Sequence, residues 1–354
     1  MRRPDHIAVV GMGASTPVGA SVWASVAAAR AGLCGFREHP FMIDSAGEPM
    51  RVAAVPGLDP VVEGVPRYGA LLRVAIAEAI APIESYLPHA VRLCVLLALP
   101  PSRPGASVDL ARSLALDVRS QWSCVSDVIA YECGHAGGYL ALDAAMRALR
   151  TITADACVVA GVDSYLAPLT LEWLDANEQL HGAGAFNNAW GFIPGEAAGA
   201  LLLMLPHAAE RLGLEVFGHI AAVGLGTETK LIKTDAVCIG EGLTTAFRAA
   251  LASVETEARI DNVICDLNGE TYRADEYGFT VLRTKNHFRE ATDFVAPADC
   301  WGDIGAASAP LHIAQALIAA RKGYARGALS MTWASSESGE RGAAIVCGTM
   351  ADER

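Results

Sequence analysis

The stretch Tyr131-Glu132-Cys133-Gly134-His135-Ala136-Gly137-Gly138-Tyr139-Leu140-Ala141-Leu142 sets a cysteine between a β-type run and a small-residue helix. The preceding Cys124-Val125-Ser126-Asp127-Val128-Ile129-Ala130 is rich in β-formers, and Leu140, Asp143, Ala144 and Arg147 recur at helical spacing. This predicts strand, tight turn and helix in succession, with Cys133 at the helix N-terminus. There the macrodipole and unpaired amides favour a thiolate, and the glycines let a bound group approach the backbone closely. The alternative for such a residue is a buried structural thiol.

Working outward, four more segments accompany this one. His6-Ile7-Ala8-Val9-Val10-Gly11-Met12-Gly13-Ala14-Ser15-Thr16-Pro17-Val18-Gly19 opens the chain with a strand and a small-residue loop. Asp155-Ala156-Cys157-Val158-Val159-Ala160-Gly161-Val162-Asp163-Ser164 follows the cysteine segment. Trp190-Gly191-Phe192-Ile193-Pro194-Gly195-Glu196-Ala197-Ala198-Gly199-Ala200 and Gly302-Asp303-Ile304-Gly305-Ala306-Ala307-Ser308 come later. In this order they resemble the β-ketoacyl synthase branch of the thiolase-like superfamily, with Ala197 in place of a glycine. The resemblance spans nearly the whole chain. It implies an α/β chain with the thiolase-like fold: two pseudo-symmetric βαβαβαββ halves in a layered α/β/α/β/α architecture.

The organisation of the chain agrees with that expectation. Residues 1–206 form the first half, which carries the cysteine; residues 207–213 are the joint; residues 214–354 form the second half. Each half contains a strand, a small-residue loop, an Ala/Gly-rich helix and a further strand: residues 133–150 then 156–162, and residues 302–322 then 325–332. Such a crossover predicts parallel strands with helices on both faces. The helix over residues 306–320 is apolar all round, as a buried helix is. Residues 178–188, containing His181-Gly182-Ala183-Gly184-Ala185-Phe186-Asn187-Asn188, read as the most mobile loop and as one that covers a site.

Composition narrows the function classes. The chain has 354 residues, 52 % of them hydrophobic and 19 % charged, which suits a large buried core. Its formal charge of −12 disfavours nucleic acid or an anionic membrane as partner. No apolar run reaches the roughly 18 residues that span a bilayer, and Met1-Arg2-Arg3-Pro4-Asp5 leads into a strand and not a signal segment, so a cytoplasmic protein is expected. Nine cysteines without CxxC pairs argue against a disulfide framework and a zinc site, so no metal is expected. Gly11-Met12-Gly13-Ala14-Ser15-Thr16 begins like a dinucleotide fingerprint, but it lacks the third glycine and Pro17 interrupts the helix start, so no nicotinamide or flavin cofactor is expected.

The resemblance also implies a chemistry, and this sequence departs from it. A condensing ketosynthase acylates its cysteine, decarboxylates a malonyl thioester and stabilises the enolate with two histidines, or a histidine and an asparagine. Here Cys133 is the implied nucleophile. In Val263-Ile264-Cys265-Asp266-Leu267-Asn268-Gly269-Glu270-Thr271, Asn268 takes the first histidine's place, and Asp303 takes the second's. The family's lysine aligns near Ala298. The glycine-rich gating loop is replaced by Thr332-Trp333-Ala334-Ser335-Ser336-Glu337-Ser338-Gly339-Glu340-Arg341-Gly342. Asn268 can donate through its amide, whereas an ionised Asp303 repels both a malonyl carboxylate and an enolate and raises the pKa of a nearby thiol.

Three functions are consistent with these residues. One is acyl-thioester transfer through Cys133 without efficient decarboxylation, with Asp303 as base or orienting group and Asn268 positioning the substrate. Another is a non-catalytic thiolase-fold binding protein, either a silent partner of an active synthase or a type VI secretion effector-associated adaptor. The third is a condensing enzyme with a rearranged site. His135 reads as a packed or dimer-facing histidine, since residues i and i+2 of a helix point to different faces. His181 is a weaker candidate base and His312 a structural residue. Asp266 with Glu270, and Asp275 with Glu276, read as solvated pairs without a role. The resemblance implies acyl carrier protein or acyl-CoA as partner. It also implies a homodimer, or a heterodimer with a related chain, through the apolar run Val125–Tyr131.

Overall fold

The computed structural model describes residues 6–87, 91–232, 234, 236–255 and 257–350, so the opening residues 1–5 lie outside it. The first half runs β1 (Ile7–Ser15), α1 (Val22–Arg30), the hairpin β2 (Phe36–Ile43) and β3 (Pro49–Ala53), α2 (Gly64–Ile80), β4 (Leu93–Ala98) and α3 (Leu110–Gln121). It continues with β5 (Val125–Tyr131), α4 (Gly137–Arg150), β6 (Ala156–Ser164), α5 (Pro168–Ala176), β7 (Glu196–Met204) and α6 (Pro206–Arg211). The second half runs β8 (Gly218–Thr227), α7 (Glu241–Leu251), β9 (Asn262–Cys265), α8 (Thr271–Thr284), β10 (Phe294–Val295), α9 (Ala298–Trp301), α10 (Ser308–Arg321), β11 (Leu329–Ser335) and β12 (Glu340–Gly348).

Strand order exposes the repeat. The large sheet reads β10-β9-β11-β12-β8-β1-β7-β6-β4-β5, so each set of five has the same sequence of neighbours counted from its own first strand. In the first set β4 pairs in parallel with β5 and β6, and β6–β7 and β7–β1 are antiparallel. In the second, β9 pairs in parallel with β10 and β11, and β11–β12 and β12–β8 are antiparallel. Both expected crossovers, β5–α4–β6 and β10–α10–β11, therefore join parallel strands. The sets meet where Ile7, Ala8 and Val9 pair with Ile220, His219 and Gly218.

Alternate residues of one strand enter different cores, which is why the strands are apolar on both faces. Ala197, Leu201 and Leu203 of β7 join a central core with α4 and α10, while Ala198, Ala200, Leu202 and Met204 join an outer core with α2 and α3. A third core packs α7 and α8 on the far side of the second set. These are the five layers α/β/α/β/α. In β1 the alternation switches from Ile7 and Val9 to Met12 and Ala14 in the central core. The register shift between Val9 and Gly11 is a bulge that moves every later side chain to the opposite face.

The central layer carries the site. Along α10 only Ala319 and Arg321 are not buried. Ahead of α4 and α10 lie one-turn 3₁₀ segments, Gly134–Ala136 and Gly305–Ala307, and their amides are satisfied reciprocally by the opposite half. Ala136 donates its N–H to Ser336 Oγ at 2.9 Å, and Ala306 donates to Asp163 Oδ2 at 3.0 Å. Among the described residues no helix is long and apolar enough to cross a membrane.

The Gly11-Met12-Gly13 run is a packing device: a Cβ at Gly11 would stand 2.0 Å from Ala79 O, and one at Gly13 2.0 Å from Ala75 O, both on α2. Gly11→Ala is therefore expected to destabilise the fold by about 1–3 kcal/mol as α2 is pushed off β1. Gly278→Ala, where nothing lies within 4 Å on α8, is expected to stabilise by roughly 0.5–1 kcal/mol. Urea midpoints of the two variants, moving in opposite directions, check this reading.

Candidate functional site

The side chains that converge between the halves are His135, Asp303, Asn268 and Arg273. His135 and Asp303 are 4 % exposed and Arg273 is fully buried. His135 belongs to the 3₁₀ turn before α4, where Gly134 at φ +71° bends the chain and the ring points toward the second half. Asp303 follows Gly302, whose φ of +73° ends α9 and turns the carboxylate inward. Asn268 and Arg273 flank the start of α8.

Asp303 is saturated with donors. His135 Nε2 lies 2.8 Å from Oδ1, Gly305 N–H donates to Oδ1 at 2.8 Å, and Asn268 Nδ2 donates to Oδ2 at 2.6 Å. Burial pushes the Asp303 carboxyl up, but His135, Arg273 and the Gly305 amide outweigh it and hold it well below the ordinary range. For His135 burial pushes the pKa down, but the charge and hydrogen bond of Asp303, together with Asp266, outweigh it and hold the pKa above the ordinary value. Arg273 Nη2 is 3.4 Å from the same Nε2. The Nε2 proton goes to the closer carboxylate, which leaves the guanidinium contact a weak one that opposes protonation.

Arg273 ties the rest of the cluster together. It donates to Asp266 Oδ2 at 2.6 Å and to Ser335 O at 2.8 Å, and its Nε lies 3.4 Å from Glu270 Oε2. Glu270 Oε2 also accepts from Asn268 Nδ2 at 3.1 Å and from Tyr272 Oη at 3.0 Å. Asn268 thus has one amide hydrogen for Asp303 and the other for Glu270, while its Oδ1 accepts from Glu270 N. His312 lines the same space; burial, and then repulsion from a protonated His135, lower its pKa to about 3, which keeps it neutral. The cleft at the cluster has a volume of about 10 Å³. That is the scale of one water, with no space for an acyl chain.

Cys133 lies beside this cluster, on a second cavity of about 210 Å³ that it shares with His135, Arg103, Tyr165, Trp173 and Glu337. Its helix-terminal position does not deliver the expected thiolate. Burial, reinforced by Glu340, pushes the thiol up to about 11. Arg103, which walls this cavity, is paired with Asp163 and stacks over the Tyr165 ring at 4.0 Å.

Of the residues expected from sequence, Asn268 and Asp303 are in direct contact, and Cys133 reaches them only through the neighbouring His135. The expectation that Asp266, Glu270 and Glu276 lie on solvated faces is overturned: they are 5 %, 6 % and 0 % exposed. Each is drawn inside by an arginine, Arg273 for the first two and Arg341 for Glu276 at 2.6 Å. Asp275 is exposed, as expected. His135 is packed inside the cluster and faces no outer surface. The loop at 178–192 meets the site at both ends. Gln179 Nε2 reaches Glu270 and Glu337 at 3.4 and 3.3 Å, and a Cβ on Gly269 would meet Gly191 O at 2.8 Å. The missed signal was Arg273, placed three residues after Glu270 and seven after Asp266 on the inward face of α8. Among the described residues, Glu228, Cys238 and Glu276 bring ligand-type atoms within 4.8 Å of one another. The Arg341 guanidinium already supplies the positive charge there.

One layer of helices, α4 and α10, buried between paired five-stranded sets, with the site at the helix N-termini, is the arrangement of the thiolase-like fold of the ketosynthases. Residues 122–209 match the family model described as Beta-ketoacyl synthase, N-terminal domain. The structure resembles a ketosynthase from module 6 of the bacillaene synthase from Bacillus subtilis 168, with a TM-score of 0.79 at 16 % identity over 97 % of this chain and 72 % of that one. It resembles the ishigamide ketosynthase/chain length factor with a TM-score of 0.79 at 17 % identity, over 98 % and 99 %. It also resembles the AntDE:AntF complex of a type II PKS acyl-carrier protein with its ketosynthase, with a TM-score of 0.78 at 15 % identity, over 98 % and 100 %. No curated protein matches the sequence. These likenesses show that the chain has the fold of the ketosynthases, and residues 122–209 match the ketosynthase family model.

The buried pair makes stability depend on pH in a defined window. Asp303, held below its unfolded value, contributes above roughly pH 4 and is lost as pH falls through its folded pKa. His135, held above its unfolded value, contributes fully below roughly pH 6.5 and is lost as pH rises through its folded pKa. Asp303→Asn is expected to cost roughly 3 kcal/mol between about pH 4 and 6.5 and less at higher pH. Denaturant titrations of both proteins across pH 4–9 check the narrowing of that difference.

Proposed function

We propose that this chain is a non-condensing partner subunit: a ketosynthase-like protein that pairs with a related chain and does not itself extend an acyl group. The observation that carries this reading is the fate of the hydrogen-bond donors. Condensation needs donors facing the enolate as charge develops. Here both hydrogens of Asn268 and the Nε2 proton of His135 are committed to buried carboxylates, in a space of about 10 Å³. An anion arriving there would meet Asp303 already ionised. The likeness to a ketosynthase/chain length factor and to a ketosynthase bound to its acyl-carrier protein supports a related chain and a carrier protein as partners. Strand β5, at one edge of the sheet with Ile129 41 % exposed, is the pairing surface, and the cytoplasm is the setting.

One observation favours a second reading, acyl-thioester transfer through Cys133. The thiol and His135 line one cavity of about 210 Å³, so a short acyl group on sulfur has space beside an imidazole that Asp303 orients. Asp303, already bound by three donors, serves there as support and not as the base.

Intact mass after incubation with a panel of acyl thioesters, malonyl included, separates the two readings. The partner-subunit reading expects no adduct, and alkylation of Cys133 at pH 7 roughly a hundredfold slower than that of a free cysteine. A mass gain present in wild type and absent in Cys133→Ala overturns it in favour of acyl transfer. Sedimentation after co-expression with a condensing ketosynthase is expected to give a heterodimer, and a monomer at micromolar concentration counts against the pairing.

A further inference from the structure

The nine cysteines are free thiols, and two of them, 266 positions apart in the sequence, meet at a seam between the halves. Cys34 is exposed in the turn after α1, and Cys300 is 8 % exposed in α9. Gly35 N–H donates to the carbonyl of Cys300 at 2.7 Å, and Cys34 Sγ lies 3.2 Å from Asp299 O. Covalent geometry on either side of the Gly35–Cys300 bond limits the two Cα atoms to at most roughly 7.5 Å, and less for any bent arrangement. A disulfide typically spans about 4.4–6.8 Å. Cys300 Sγ lies 3.7 Å from Ala29 O, in the last turn of α1 that leads to Cys34, and Cys34 is close enough to raise the Cys300 thiol.

We propose that Cys34 and Cys300 form a redox-sensitive pair that closes to an intramolecular disulfide on exposure to a peroxide. The exposed Cys34 thiolate attacks a peroxide oxygen and becomes a sulfenic acid, releasing water. The Cys300 thiolate then attacks that sulfur, forming the S–S bond and releasing the second water. In all, two thiols lose two electrons and two protons, and hydrogen peroxide is reduced to two waters. Burial, with Cys34 and Asp299 adding to it, raises the Cys300 thiol to about 11, so Cys34 reacts first and Cys300 resolves.

The consequence falls on the central site. Cys300 precedes Trp301, Gly302 and Asp303, and the crosslink fastens this segment to the turn after α1 in the other half. Asp303 N and O already bond to Ile193 O and Gly195 N at 2.8 and 2.9 Å, so the segment becomes anchored on both sides.

The experiment treats the full-length protein with hydrogen peroxide, caps remaining thiols with maleimide after denaturation, and maps the peptides by mass spectrometry. A linked Cys34–Cys300 peptide, two hydrogens lighter than its parts and cleaved by dithiothreitol, is expected. It should vanish in Cys34→Ser and in Cys300→Ser and persist in Cys124→Ser. The wild-type map decides even where a serine variant folds poorly. Three results would each overturn the pairing: Cys34 oxidised while Cys300 remains fully alkylated, a disulfide joining two chains through Cys34, or crosslinks among other cysteines instead.

Discussion

A carboxylate taken out of water must be solvated by the protein, and Asp303 is solvated by groups from both halves at once. His135 comes from the first half, Asn268 and Gly305 come from the second, and the Asp303 backbone bridges to Ile193 and Gly195. None of these partners can move away without leaving a buried charge uncompensated, a loss that costs several kcal/mol. The relative position of α4 and α10 is therefore fixed by this anion as well as by apolar packing. Apolar contact alone tolerates sliding, whereas a triply bonded carboxylate does not.

The same logic recurs around it. Glu196 is held by Arg67 at 2.5 and 2.7 Å, by Ser164 Oγ at 2.9 Å and by Val55 N–H at 2.9 Å. Arg103 joins Asp163, whose other oxygen accepts from Ala306 across the seam. Arg341 joins Glu276, and Arg273 joins Asp266. A buried ion pair adds little net stability over a well-packed apolar pair, but it penalises every arrangement that separates its members. In a chain whose two halves share one topology, such penalties discriminate the native pairing of the halves from its near-equivalents.

This division explains what could be read from the sequence. The strands, the all-apolar helix α10 and the crossovers follow from local periodicity, and all were legible there. The site depends on separations that local pattern does not encode: His135 to Asp303 spans 168 positions and Ala136 to Ser336 spans 200. Asp266 and Glu270 resembled solvent-facing acids because most acids are. Only the inward turn of Arg273, fixed by where α8 meets β11, reverses that. The reading of Cys133 and His135 as residues on different helical faces assumed an α-helix from the cysteine onward. The actual 3₁₀ turn, with Gly134 in the left-handed region, directs the imidazole into the seam and leaves the thiol on the adjoining cavity.

The motifs that carried the family resemblance are, on inspection of their surroundings, packing motifs. A Cβ at Gly161 would lie 2.2 Å from Ala306 O, one at Gly195 2.5 Å from Trp301 O, and one at Gly199 2.6 Å from the Leu311 side chain. Each is small because a helix or strand of the opposite half approaches its backbone. Such positions are constrained by the five-layer architecture whatever chemistry the site performs, and they persist when that chemistry is altered. The residues that would report catalysis are the few facing the seam, and there the chain has Asn268 and Asp303 bonded to each other. Two donors of a condensing site both point at substrate. A donor and an acceptor at the same positions satisfy one another and stabilise the closed protein. With Asn268 donating to Asp303 at 2.6 Å, the two side chains facing the seam satisfy each other inside a frame that the glycine contacts fix independently, so the packing motifs alone do not determine what these few side chains do.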